Sequence, residues 1–256
     1  MLINISFKNI SNILCVILNS SVKLFAFIYF KDRSQPEPAG KLLKAFFFGV
    51  LSILLSLTIS RVISLVFPGE ANYDTMAGAA YDAFGMAAIP EEAAKLIMLL
   101  LVLRNNRYFD EKLDGIVYSV CVTLGFAAVE NVMYLCGSGS DFMSTAIFRA
   151  LLSVPTHFLC GVIMGYFVSL AKFYPVFRTR NMILAFVIPM LAHGLYDWLL
   201  MYGSGGGASI YGVLFISLLA LCYYMWKVSL RFIRAHMTRD AADMSAIQES
   251  ELLDEE

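Results

Sequence analysis

Residues 86–103 read MAAIPEEAAKLIMLLLVL. The stretch is apolar enough for the middle of a membrane helix, yet Glu91, Glu92 and Lys95 sit inside it. A charged side chain near the bilayer centre costs several kcal/mol unless it faces a bundle interior or a wet cavity. The same conflict recurs in the three apolar stretches that follow. They hold Glu130 with Asn131, then His157, then His193 with Asp197. One such residue is an accident of packing. Four successive stretches carrying acids and histidines, the types used in acid–base work and metal ligation, predict a polar site inside a membrane protein.

The whole chain supports this. Of its 256 residues, 59% are hydrophobic and 15% charged, with a mean hydropathy of +0.70. Soluble domains carry about 25% charged residues. The net charge of −1 and the lack of a basic face argue against a nucleic-acid partner. Cys15, Cys121, Cys136, Cys160 and Cys222 stand singly in apolar stretches, odd in number and without CxxC pairing. They read as small core residues rather than a disulfide frame or a zinc knuckle. The first apolar stretch has no basic leader and no small-residue cleavage site, which argues against a removed signal peptide.

A span needs about 20 apolar residues. Seven stretches qualify, at about 10–30, 43–67, 76–103, 114–136, 142–171, 182–203 and 209–233. The predicted fold is an all-α, polytopic bundle of about seven transmembrane helices. Lys and Arg collect in alternate loops, after the first, third, fifth and seventh spans, whereas 68–74, 137–141 and 203–209 hold none. The positive-inside rule then puts the amino terminus outside and the carboxy terminus inside. The chain is expected to be a multi-pass protein of the cell (inner or plasma) membrane, its residues 1–234 forming one bundle. Residues 235–256, ending SAIQESELLDEE, form an acidic inner tail, too short for a core of its own and either a short helix or disordered.

Depth brings the polar residues together. At 1.5 Å per residue, Glu91 lies roughly 22 Å from the outer end of its span and Glu130 roughly 9 Å from its own. His157 and His193 fall near mid-depth, with Asp197 one turn further out. Glu91 and Lys95 are four apart and Glu92 and Lys95 three apart, so the lysine can neutralise a carboxylate on its own helix. His193 and Asp197 share a face, and an aspartate beside a histidine fixes its tautomer. Pro90, Pro155 and Pro189 each stand close to these residues, and proline inside a span marks a distorted, hydrated site.

The same residues carry a resemblance. Pro90-Glu91-Glu92-Ala93-Ala94-Lys95 resembles the EExxK motif of the PrsW family of intramembrane proteases. Phe126 to Asn131, FAAVEN, is similar to its FxxxEN, His157 to its lone histidine, and His193 to Asp197, HGLYD, to its HxxxD. Asp32 to Pro38, DRSQPEP, resembles its DRxEPEP segment, with Gln35 in place of a glutamate. The motifs agree in order and helix placement from about residue 25 to 200. The resemblance implies a hydrolase that cuts a membrane-anchored, single-span protein, such as an anti-sigma factor at its first site.

No serine, cysteine or threonine pairs with a base in this set, so activated water is the expected nucleophile. Glu91 or Glu92 would be the general base and His157 would orient the water. His193, Asp197 and Asn131 would hold the oxyanion or the substrate. In the other version, which leans on family analogy and ligand type, His157, His193 and Glu130 bind Zn²⁺, which activates the water. Glu130 belongs to the catalytic set in either case.

Blander readings stand beside these. The Glu91, Glu92 and Lys95 charges could brace the bundle. Arg149 could pair with a site acid or snorkel to the interface, and His236 reads as solvated. Gly161 and Gly165 form a GxxxG, which brings two helices close within one molecule or across a homodimer. A proton-coupled transporter or channel would use the same Glu and His set. That alternative predicts internal repeats, and none is evident.

Overall fold

A computed structural model of the chain describes residues 20–32, 35–137, 142–205 and 208–254. Residues 10–19 of the first expected span lie outside the described residues, with Cys15, and so do Arg33 and Ser34. The described chain is helical throughout, with no strand. The order is α1 (Ser20–Tyr29) and α2 (Ala39–Val66), then α3, built from consecutive segments Met76–Ala80, Tyr81–Ala88 and Ile89–Leu103. After it come α4 (Lys112–Gly137) and α5, built from Phe142–Phe148, Arg149–Ser153 and Val154–Phe173. The last two are α6 (Arg178–Gly205) and α7 (Ala208–Asp254). The expectation of an all-helical membrane bundle is borne out. Among the described residues five helices, α2 and α4 to α7, are long and apolar enough to cross a membrane. The described part of α1 is shorter, and α3 carries three charged groups within its most apolar part.

The bundle is built around α4. Every residue from Leu113 to Ala127 is buried, so this helix has no lipid face over its inner two thirds. Its neighbours are α2 on one side and α5 on the other. The hydrophobic effect gives no preference between lipid tails and a neighbouring apolar helix, so close packing must hold them. Small residues supply it. A Cβ on Gly49 of α2 would stand 2.0 Å from the Val122 carbonyl oxygen, and one on Gly125 of α4 would stand 2.1 Å from that of Phe46. On the other side, a Cβ on Gly165 would meet the Gly115 carbonyl oxygen at 2.3 Å, and one on Gly161 would meet Thr123 Oγ1 at 2.3 Å. The GxxxG of α5 is therefore used within the molecule, against α4. The opposite face of α2, with Leu43, Phe47, Leu51, Leu54 and Leu65, is exposed at helical spacing and fits lipid.

The ends of the helices are tied on the side that carries the basic loops. Asn105, in the left-handed region at φ 56°, stops α3. The first turn of α4 is capped from a distance. Asp240, far along α7, accepts the backbone N–H groups of Lys112 and Leu113, both at 2.9 Å. Lys112 Nζ in turn pairs with Asp240 at 3.5 Å and with Asp243. So α7 continues unbroken beyond its apolar part and docks on the bundle. One expectation fails here. His236 is fully buried, not solvated, because α7 brings it onto α5, where its ring stacks on Tyr166 at 4.4 Å and Nε2 lies 3.2 Å from the Tyr166 carbonyl oxygen. Of the described cysteines, Cys121 and Cys160 are buried, Cys222 is half-buried and Cys136 is exposed.

Close approach at Gly165 gives a direct test. Gly165→Val forces backbone apart and should cost about 3 kcal/mol or more. Gly212→Val, at a position with nothing within 4 Å among the described residues, should be neutral. Thermal unfolding in detergent followed by circular dichroism distinguishes the two.

Candidate active site

Two widened turns shape the site before any side chain is placed. Tyr81–Ala88 and Arg149–Ser153 are π-helical, and each runs directly into a proline-containing segment. Proline has no N–H to offer the carbonyl one turn back. At Pro90 that carbonyl belongs to Met86, and it accepts instead from Ser60 Oγ of α2 at 2.6 Å. In α5 the Ala150 carbonyl accepts from Ser20 Oγ of α1 at 2.8 Å. Both π turns are thus satisfied by neighbouring helices. Each resets the rotational phase of the helix that follows, just ahead of Glu91 and Glu92 or of His157. A third close approach brings in α6. A Cβ on Gly194 would lie 2.2 Å from the Phe84 ring, so only glycine beside His193 lets α6 settle on the π turn of α3.

The centre of the site is Lys95, which is fully buried. Its Nζ lies 3.2 Å from Glu91 Oε2, 2.9 Å from Glu92 Oε1 and 3.1 Å from His157 Nδ1, and 4.0 Å above the Phe126 ring. An ammonium has three protons and no acceptor, so here every donor has a partner. Because Lys95 donates to His157 Nδ1, the proton of this imidazole belongs on Nε2. That nitrogen is 2.7 Å from Glu130 Oε2 of α4. Glu130 also pairs with the Arg149 guanidinium at 2.7 Å, and Arg149 Nε donates to Asn131 Oδ1 at 2.6 Å. Arg149 therefore pairs with the site acid and does not snorkel.

His193 completes the chain of contacts from α6. Its Nδ1 is 2.8 Å from Glu92 Oε1, and its Nε2 is 3.2 Å from Asp197 Oδ2 and 3.9 Å from Glu91 Oε2. The rings of His157 and His193 stand edge to face, 5.1 Å apart. Both border a cavity of about 330 Å³ whose lining also includes Glu130, Arg149, Asp197 and Tyr73. Tyr73 comes from the loop before α3, and its hydroxyl donates to Asp82 Oδ2 at 2.6 Å. The two glutamates differ. The Glu92 side chain is 0% exposed and Glu91 is 13% exposed.

The residues singled out in the sequence, Glu91, Glu92, Glu130, Asn131, His157, His193 and Asp197, form one connected polar cluster drawn from four helices. One ligand atom from each of Glu91, Glu92, His157 and His193 lies within 4.8 Å of the others. Glu130 stands behind His157, on the Nε2 side of the ring. Two carboxylates and two imidazoles are a donor set that suits zinc. Glu92 Oε2 is buried with no hydrogen-bond partner among the described residues, which leaves it able to accept one. Lys95 Nζ competes for three of the same four donors. Tyr73, Ser60 and the π turns carry no sequence signal strong enough to single them out.

Residues 37–225 match the family model of the PrsW family intramembrane metalloproteases. Protease PrsW of Geobacillus kaustophilus is 39% identical over 180 residues, which is 70% of this chain and 76% of that protein. Protease PrsW of Bacillus subtilis is 36% identical over 70% of this chain and 78% of its own length. That of Clostridioides difficile is 32% identical over 81% and 84%. No solved structure matches the chain. With five helices able to span a membrane and a buried acid–histidine cluster, this multi-pass membrane chain belongs to the PrsW family of intramembrane proteases.

Proposed function

We propose that the protein is an endopeptidase that hydrolyses a peptide bond of a single-span membrane protein, with an anti-sigma factor cut at its first site as the expected substrate. The observation that carries this reading is the meeting of Glu91, Glu92, His157 and His193 beside a cavity within the bundle. The seven spans expected from the sequence would need α3 to cross with its charges turned into the site. The basic loops favour an outer amino terminus and an inner carboxy terminus.

Water is the nucleophile in this reading, because the ring nitrogens of both histidines face carboxylates or Lys95 and no hydroxyl or thiol. Glu91 is the general base. Its carboxylate is the less buried of the pair, whereas Glu92 is fixed between Lys95 and His193. Glu92 orients His193 through Nδ1, as Glu130 orients His157 through Nε2, and Arg149 holds Glu130 in place. A carboxylate on one nitrogen of each imidazole sets its tautomer, while the second nitrogen of His157 faces Lys95 and that of His193 faces Asp197. Asp197 and Arg149 line the cavity where the scissile segment would lie. A zinc ion held by three of the group, Glu92, His157 and His193, would keep a fourth position for a water of lowered pKa beside Glu91 and would polarise the scissile carbonyl.

Cleavage of a panel of single-span substrates in detergent tests the activity. Glu91→Gln and His193→Ala should each lower kcat/KM by about 10²–10⁴ with helical content retained. Solute flux in liposomes with no cleavage of any substrate would overturn the peptidase and favour the transporter. A second measurement separates the two mechanisms. Lys95→Met leaves two buried carboxylates without their cation and should cost about 3–5 kcal/mol in a denaturant titration without metal. In the zinc mechanism added Zn²⁺ restores that stability, and elemental analysis of the wild type finds one zinc per chain. No rescue and no zinc in an active preparation would leave the carboxylate mechanism alone.

A further inference from the structure

A second group of acids lies at the other end of α4. Asp32 follows α1, Glu111 precedes α4 and Asp114 is in its first turn. One carboxylate oxygen from each lies within 4.8 Å of the others. From Asp114 to Glu130 along α4 is roughly 24 Å, so this group is separate from the intramembrane site. All three side chains are at least nine-tenths buried: Asp32 is 0% exposed, Asp114 1% and Glu111 8%.

Their hydrogen bonds are incomplete in one direction. Asp114 Oδ2 accepts from the backbone N–H groups of Asp110 and Glu111, at 3.0 and 2.6 Å. Asp32 Oδ2 accepts from Glu37 N at 3.3 Å, and Glu37 accepts from the Tyr118 hydroxyl. Asp32 Oδ1 and both oxygens of Glu111 have no partner among the described residues, while the Asp114 side chain also lies within hydrogen-bonding reach of Glu37. The nearby lysines, Lys112 and Lys172, act on Glu111 and Asp114 through space, and their closest contacts are to other groups. Lys112 pairs with Asp240 and Asp243, and Lys172 lies 3.9 Å above the Phe109 ring. Burial pushes the pKa of Asp32 up to about 7, with Glu37, Glu111 and Asp240 adding to the rise. Burial raises that of Glu111 as well. Buried oxygens left without donors cost free energy, and a carboxylate group of this kind is stabilised by a cation.

We propose that Asp32, Glu111 and Asp114 hold a hard divalent cation, Mg²⁺ or Ca²⁺, which fastens the segment after α1 to the first turn of α4. The donors are all oxygens with no histidine or cysteine, which selects hard ions over zinc. Asp240 caps the same turn of α4 from α7, so the cation adds a third chain segment to that junction.

The test uses the full chain in detergent, stripped with EDTA, and Mg²⁺ or Ca²⁺ added singly. Thermal unfolding should show a saturable rise in Tm of about 5 °C. Glu111→Gln and Asp32→Asn should fold, since each removes a buried charge, and should weaken the ion at least about tenfold. Mn²⁺ titration by electron paramagnetic resonance counts the sites, and Glu111→Gln is expected to remove one tight site that the wild type has. No Tm change up to about 10 mM of either ion, or an equal rise in both variants, overturns the proposal. Because the readout is stability with ions that prefer oxygen, loss of peptidase activity does not bear on it, and a null result here leaves the peptidase standing.

Discussion

A single buried ammonium lets this bundle carry acids into its interior. Lys95 touches Glu91 and Glu92 on its own helix and His157 on α5, and lies over Phe126 of α4. Without it, two carboxylates would lose their nearest cation, a penalty of several kcal/mol. The rest of the site is built outward from those contacts. Glu92 reaches His193 on α6, and His157 reaches Glu130, which reaches Arg149. Positive and negative groups alternate along this path, so removal of one member leaves its neighbour uncompensated.

The scaffold serves that path by close backbone approach. Glycines at 49, 125, 161 and 165 clamp α4 between α2 and α5, and Gly194 seats α6 on the π turn of α3. Serines 20 and 60 satisfy carbonyls in the two widened turns. A widened turn leaves the backbone with fewer internal bonds, and in lipid those must be made up by other helices. The chemistry-bearing segments of α3 and α5 are therefore held by α2 and α1, which contribute no ionisable group to the cluster.

Much of this was legible in the sequence because lipid is an unforgiving solvent. Glu91, Lys95, Glu130 and His193 stand out against apolar surroundings, and helical spacing puts Lys95 beside Glu91 and Glu92 and His193 beside Asp197. The all-helical architecture follows from the same apolar runs. Other features follow from three-dimensional packing alone. Arg149 stands near the end of its apolar run, where pairing and snorkelling look alike. The π turns ahead of Pro90 and Pro155 have carbonyls completed by Ser60 and Ser20 from other helices, which no local pattern encodes. His236 sits among arginines in sequence, and only the docking of α7 on Tyr166 buries it. Asp32, Glu111 and Asp114 are ordinary loop acids until the chain brings them together.

The match to the family ends at residue 225, yet α7 runs unbroken to Asp254. Asp240, beyond that limit, supplies both acceptors for the opening N–H groups of α4. A chain trimmed to the matching region would lose the cap of the most enclosed helix of the fold. The evolutionary unit and the folding unit thus have different borders, and truncations for expression should follow the second.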